Sequence, residues 1–423
     1  MIAAIVLAAA AAAGPLQSSG TLPLGGQYIV HKDPSAATTA IDLWYRVPSS
    51  GYAAATPGVA RVAIAALAAS APQNGTSFAD LVKRDGGTLS INVYPDIAMI
   101  GASVPSWEAP AVLRAMTTAF FSPAITDAGF HAALRDTAIA AAEQQYSADA
   151  TLQNALFARI FSGGPAHYAA VPATAADVTK ITLDAVRSFA ARGFRQQNAV
   201  LSIAGSADDK LLAGVRTSAG SQGNSQDAPL DSTLSNTPVD AIVNGPVAGL
   251  GIAFPGPPIA DEKAATAMDF LADYLFDPQY GAINAIVSKK SDVSIGGQFI
   301  TLHDPGVLVG TLSGSGAPAL RPKVLEAVAA LTKPMDAKSF EAARNAFLYR
   351  ILSESQTPAG RADNAGWYAV EGNAQYAPGD ESKRYVEIAR SLDPSYVASI
   401  AAKYLQHPAI VQLLTAPKSG SAT

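Results

Sequence analysis

Thr56-Pro57-Gly58-Val59-Ala60-Arg61-Val62-Ala63-Ile64-Ala65-Ala66-Leu67 is the stretch on which the fold reading turns. A Thr hydroxyl can cap a helix, and Pro suits the first helical position, where its missing amide hydrogen would have no partner, so a helix is predicted to begin at Thr56-Pro57. Val59, Val62, Ala63, Ala66 and Leu67 recur at i, i+3, i+4, i+7 and i+8, the spacing of one core-facing stripe. The neighbouring stripe, Arg61, Ile64, Ala65 and Ala68, is too apolar to face water and is expected against another element or in a cavity.

At 423 residues the chain exceeds a single core, and about 150 residues per domain suggests two or three. Its 29 Lys and Arg against 34 Asp and Glu leave no basic footprint for nucleic acid. Mean hydropathy is positive at +0.18, mostly through alanine, and past the N-terminus no apolar run of about 18 residues predicts a membrane span in the mature chain. Met1–Ala13 is apolar, alanine-rich and followed by Gly14-Pro15, which reads as an export signal within a leader over residues 1–21 and implies a periplasmic protein; no Lys or Arg precedes it. The absence of cysteine excludes disulfides, thiolate metal sites and a Cys nucleophile.

Outward from the first helix the pattern is α+β. Thr38–Val47 alternates as a strand, and Thr88–Val104 reads as a hairpin turning near Tyr94-Pro95-Asp96. Helical periodicity follows over Glu108–Phe120, Asp127–Gln145, Ala150–Phe161 and Thr182–Arg192, and Asn198–Ala204 closes the unit as a strand. Residues 219–238 lack any apolar period and have the Gly, Ser, Asn, Asp and Pro content of a linker. Beyond it the order recurs, with strands at Val247–Phe254, Asp292–Leu302, Gly306–Ser313 and Ala409–Leu414 and helices at Asp261–Phe276, Arg321–Leu331 and Ala337–Ser353. Positions 40 and 247 in the first strands, and 198 and 409 in the last, are offset by about 207 and 211 residues, so residues 22–218 and 239–423 read as two copies of one domain.

With that order in hand, Trp44-Tyr45-Arg46-Val47, Gly58-Val59-Ala60, Gly86-Gly87-Thr88-Leu89, Asp96, Val104-Pro105, Pro165-Ala166-His167-Tyr168, Thr182-Leu183-Asp184 and Phe189 occur in a sequence that resembles the insulinase/pitrilysin-type metallopeptidases, the inverzincins, including the mitochondrial processing peptidase subunits. The resemblance covers about Leu24–Pro417 and implies two homologous domains, each a mainly antiparallel sheet packed with helices, the LuxS/processing-peptidase-like metallohydrolase fold. It also implies an H-x-x-E-H motif on the first helix, two His binding zinc and a Glu acting as base. Counted from Trp44, these positions fall on Arg61, Ile64 and Ala65. Ile and Ala have no lone-pair donor, and Arg stays charged with no acceptor, so neither zinc nor a catalytic residue is expected in this chain.

The family's third ligand is a Glu seven positions after another carboxylate, which Glu143 and Asp136 match. Arg61 and Glu143 either pair through a charge-assisted hydrogen bond where the metal would sit, or stay solvated surface charges. The Arg and Tyr with which the family's second domain holds a substrate carbonyl fall at Ala282 and near Ile295, and Asp277-Pro278-Gln279-Tyr280-Gly281 lacks the glycine-rich loop of some non-catalytic subunits. Leu89, Ser90, Ile91 and Asn92 correspond to the edge strand on which the relatives add an extended peptide, with Ser90-Ile91 in place of their usual Asn-Ala; backbone pairing needs no catalytic side chain. An edge covered by a partner is the other reading.

His31, His131, His167, His303 and His407 show no ligand spacing, Ser313-Gly314-Ser315-Gly316 is not a nucleophile elbow, and no phosphate-binding loop is present. The resemblance therefore implies a non-catalytic subunit of a heterodimeric zinc peptidase, helping to form a peptide chamber beside a homologous subunit that carries H-x-x-E-H and the zinc. A structural or assembly subunit that binds no peptide is the alternative, and an active metallopeptidase with an unrecognised site the third.

Overall fold

The computed structural model describes residues 17–47, 57–72, 75–94, 96–160, 173–207, 209–217, 240–287, 292–303, 305–371 and 381–415. The export signal, Thr56, Pro95, the 165–168 loop with His167 and the 219–238 linker lie outside the described residues. In the first half the order is β1 (Gln17–Thr21), β2 (Gln27–Lys32), β3 (Thr38–Arg46), α1 (Val59–Ala69), α2 (Phe78–Arg84), β4 (Thr88–Val93), β5 (Ile97–Pro105), α3 (Ala109–Phe121), α4 (Asp127–Gln144), α5 (Ala148–Ile160), α6 (Ala175–Val178), α7 (Leu183–Gly193), β6 (Ala199–Gly205) and α8 (Asp209–Arg216). The second half runs β7 (Asp240–Gly245), β8 (Gly249–Pro258), α9 (Glu262–Phe276), α10 (Ala282–Ile286), β9 (Ser294–Ile300), β10 (Pro305–Ser313), α11 (Arg321–Ala330), α12 (Ala337–Glu354), α13 (Pro358–Glu371), α14 (Glu381–Ser391), α15 (Pro394–Tyr404) and β11 (Ala409–Thr415).

The fold is α+β. The first sheet is ordered β1-β2-β6-β3-β5-β4 and the second β7-β11-β8-β10-β9, the same plan apart from the added β1. Pairing is antiparallel except for β2 with β6 and β7 with β11, which correspond. Each sheet is apolar on both faces. On one face of the first lies a core containing Val62, Ile64, Leu67, Phe120 and Phe189, supplied by its own helices. The opposite face, with Ile29, Trp44, Ile97, Met99 and Val200, is covered by Ala365 and Val370 of α13, a helix of the other half. The second sheet reciprocates: Val309, Val411 and Leu413 pack on Leu152, Leu156 and Phe157 of α5, from the first half. Helices α5 and α13, which begin 210 residues apart, are thus exchanged between the halves. The hairpins of the two sheets also meet, the buried Asp96 carboxylate accepting the His303 backbone N–H at 3.0 Å.

The entry to α1 differs from the sequence expectation. Pro57 and Gly58 form a turn and the helix begins at Val59, with Gly58 as an N-cap in the left-handed region, φ 88°, and no side-chain cap. A Cβ at Gly58 would crowd the Ala173 side chain at 2.8 Å, so both the backbone angle and the space select glycine. The helix is held by burial: Val59, Val62, Ala63, Ala66 and Leu67 are buried, as are Ile64 and Ala68 of the second stripe.

Candidate functional site: the cavity beside Arg61

Helix α1 packs along α4, and where the pair meets the end of β4 the structure encloses a cavity of about 250 Å³, lined by Arg61, Val93, Ala140, Gln144, Asn154, Ile300 and neighbouring side chains. It takes residues from both halves because Gln298 and Ile300 of β9 close it. Arg61 alone of the three degenerate positions lines it. Ile64 is 0 % exposed in the core, and Ala65 packs against the same core.

Two expectations change. Arg61 and Glu143 form no ion pair among the described residues; Arg61 Nη1 instead donates to the backbone oxygen of Ile91 at 3.1 Å. Nor is Arg61 a solvated surface charge, since burial pulls its guanidinium below the ordinary value. Glu143 and Asp136 are exposed, and the Asp136 carboxylate accepts from Arg135 Nε at 2.9 Å. The face of α4 that lines the cavity is Thr137, Ala140, Ala141 and Gln144. Neither carboxylate of the pair assigned from sequence is among the residues that line the cavity. The polar side chains lining the cavity are a guanidinium, side-chain amides and the hydroxyls of Tyr94 and Thr137, with no imidazole or carboxylate among the described residues, and this set does not fit zinc. Among those residues no cluster of three His, Asp or Glu is placed to hold a metal.

β4 is an edge strand. Because the Tyr94 N–H bonds inward to Ile97 O at 2.9 Å and groups alternate along an antiparallel ladder, Leu89, Ile91 and Val93 turn their N–H and C=O groups to the open side. Thr88, Leu89 and Ser90 are exposed, while Ile91 and Asn92 are half-buried. The edge on which a strand could be added is thus present, with Arg61 on one of its carbonyls.

A second cavity, of about 260 Å³, lies between α9, α12, α13 and β9 and shares Tyr94, Gln298 and Ile300 with the first. Asp269 and Asp273 of α9 stand 208 residues after Arg61 and Ala65, the spacing that also separates Ile100 of β5 from Leu308 of β10. Here the corresponding face is charged. Arg350 Nε donates to Asp273 at 2.7 Å, Nη1 donates to Glu354 at 3.0 Å, Nη2 lies 3.7 Å from Asp269, and the Tyr385 hydroxyl donates to Asp269. Burial alone would pull Arg350 down, but Asp269, Asp273 and Glu354 hold it above its ordinary value; burial raises both aspartates against the opposing pull of Arg350. Sequence reasoning missed this network. Its signal was the i, i+4 spacing of Asp269 with Asp273 and of Arg350 with Glu354, which puts each pair on one helical face. Ala282 starts α10 and Ile295 lies on β9, and neither lines the two cavities.

The Peptidase M16 inactive domain family matches residues 180–347. The chain carries the M16 inactive-domain pattern over that stretch and has the fold of M16-type peptidases. Its fold is shared along nearly its whole length with solved structures. A protease from Helicobacter pylori is 17 % identical with a TM-score of 0.82 over 94 % of this chain and 99 % of that one. A peptidase M16 inactive domain from Pseudomonas fluorescens is 15 % identical, with a TM-score of 0.75 over 95 % and 98 %. A chain of complex III2 from Candida albicans is 13 % identical, with a TM-score of 0.76 over 94 % and 95 %. No curated protein matches the sequence. The M16 match does not reach α1.

Proposed function

We propose that this M16-type chain is the non-catalytic member of a zinc peptidase pair, working beside a homologous subunit that carries H-x-x-E-H, and that it supplies wall and peptide-holding surface to a shared chamber. One observation carries the reading: the helix that bears the metal ligands in the resembled enzymes keeps its packing here, while the ligand positions hold Arg61, Ile64 and Ala65. Without lone-pair donors no water can be ionised on a metal at this helix, so its contribution is to hold rather than to cut. The open edge at Leu89–Asn92 supports peptide holding by backbone pairing. Export to the periplasm is part of the proposal, resting on Met1–Ala13, and fractionation of cells expressing the full sequence tests it.

The test of function is a pull-down from the native source, followed by a peptidase assay of this chain, its partner and the mixture. Cleavage that appears only in the mixture is expected; stoichiometric zinc with cleavage by this chain alone would overturn the reading. A second reading, a structural subunit that binds no peptide, is favoured by the likeness to a chain of complex III2. Co-purification with a large assembly that contains no H-x-x-E-H subunit would select it.

A further inference from the structure

Arg61 has five N–H donors, of which the structure shows one engaged, on Ile91 O, and it forms no ion pair among the described residues. A half-buried guanidinium without a counter-charge attracts an anion. Two further features say which. In the same cavity the Asn154 side-chain oxygen is buried without a hydrogen-bond partner, an acceptor waiting for a donor. And because Arg61 occupies an outward carbonyl of β4, a chain laid along that edge is interrupted at Ile91, so it must end or turn aside there. The end of a peptide that satisfies a guanidinium is its carboxylate, and the N–H beside that carboxylate is a donor for Asn154. Val93, Phe157, Ile300 and the alanines of α1 and α4 make most of the remaining wall apolar, and about 250 Å³ holds one or two residues.

We propose that this cavity seats the carboxylate of an extended peptide on Arg61, the C-terminal carboxylate of a chain ending in an apolar residue, with Asn154 taking the last backbone N–H. Where the resembled enzymes hold a scissile carbonyl against a metal, this chain grips an end already free. The inference rests on the peptide-holding part of the proposed function, and names its ligand class. Charge-assisted pairing in a partly dry site makes the contact selective for acid over amide.

The experiment is fluorescence polarisation on the full chain, using three labelled hexapeptides of alternating threonine and valine ending in valine. One has a free C-terminal carboxylate, one a C-terminal amide, and one an amide with an internal glutamate. The free acid is expected to bind at least tenfold more tightly than the plain amide. Arg61→Gln should bring the two within about twofold while Arg61→Lys keeps part of the gap, with circular dichroism confirming that both variants fold. Preference for either carboxylate peptide, lost in Arg61→Gln, upholds the guanidinium site and tells a terminal from a side-chain source. Equal affinity for acid and amide, a preference that survives Arg61→Gln, or no saturable binding of any of the three overturns it. The two failures are distinguishable: if the mixed-subunit assay shows cleavage while acid and amide bind equally, only the carboxylate site falls, and if the acid is preferred while the mixture stays inactive, only the pairing falls.

Discussion

Gly366 of α13 lies against the indole of Trp44 on β3, so closely that a Cβ at 366 would come within 2.0 Å of the indole Nε1. This contact joins the halves: Trp44 is 0 % exposed, its ring meets Trp367 in a T-shaped pair at 5.9 Å, and α13 can approach β3 this closely because residue 366 has no side chain. Gly366→Ala is expected to cost about 1–3 kcal/mol through overpacking. Trp44→Phe in the same chain should recover part of that loss by giving the methyl room. A double-mutant cycle in urea measures it, and additive effects of the two substitutions would show that the glycine matters for another reason.

The exchange of α5 and α13 makes the halves mutually dependent. Without α13, the face bearing Ile29, Trp44, Ile97, Met99 and Val200 opens to water; without α5, the second sheet loses its cover over Val309, Val411 and Leu413. Residues 17–217 and 240–415 expressed separately are expected to aggregate or bind a hydrophobic dye, and to recover native-like stability when co-expressed. Size-exclusion chromatography and thermal melts check this, and two halves that each melt cooperatively alone would contradict it.

The strand, helix and hairpin order was legible because these elements carry a clean period and bury a face against their own half: Thr38–Arg46, Thr88–Val93 and Ala337–Glu354 begin where the pattern predicts. The helix α13 was not, because what it buries is a sheet some 300 residues away, and its local sequence, PAGRADNAGWYAVE, is punctuated by small residues whose purpose is visible only against Trp44. The same limit governed the site. Successive residues on a helix point roughly 100° apart, so counting back seven positions could pair Glu143 with Asp136 but could not tell that Ala140 and Gln144 face the cavity instead. The start of α1 moved because a left-handed Gly58, rather than a proline, turns the chain into it.

Asp363 of α13 gives the second cavity a pH dependence. Burial, and secondarily the charge of Glu354, push its carboxyl from an ordinary 3.8 up to about 6, and it in turn helps raise the buried Asp42 on β3 and Tyr94. A carboxyl raised on folding binds its proton more tightly in the folded state. Its stabilisation is therefore complete below about pH 4 and is lost as pH rises through about 6. The full effect of such a difference is about 3 kcal/mol, and partial exposure to the cavity reduces it to roughly 2. Asp363→Asn should accordingly stabilise the protein by about 2 kcal/mol at pH 8, change little at pH 4, and flatten the pH profile between them. Urea denaturation across that range checks the sign, and a variant less stable than the parent at pH 8 would show that the carboxylate is held by a favourable partner.

Putting the missing motif back should fail for a reason internal to the packing. Ile64 is fully buried among apolar neighbours, so a carboxylate there has neither water nor a hydrogen-bond partner, and Ile64→Glu is expected to cost about 3 kcal/mol or more. Arg61→His and Ala65→His fall at half-buried positions and should be far milder, although Arg61→His also frees the Ile91 carbonyl. Even the triple variant has only two imidazoles to offer, because Glu143 is exposed and the cavity-facing positions of α4 are Thr137, Ala140, Ala141 and Gln144. It should therefore retain no stoichiometric zinc through desalting, as read by atomic absorption. One equivalent of zinc held by the triple variant would mean that Glu143 can reach the metal position, and that the loss of chemistry at α1 is only three side chains deep.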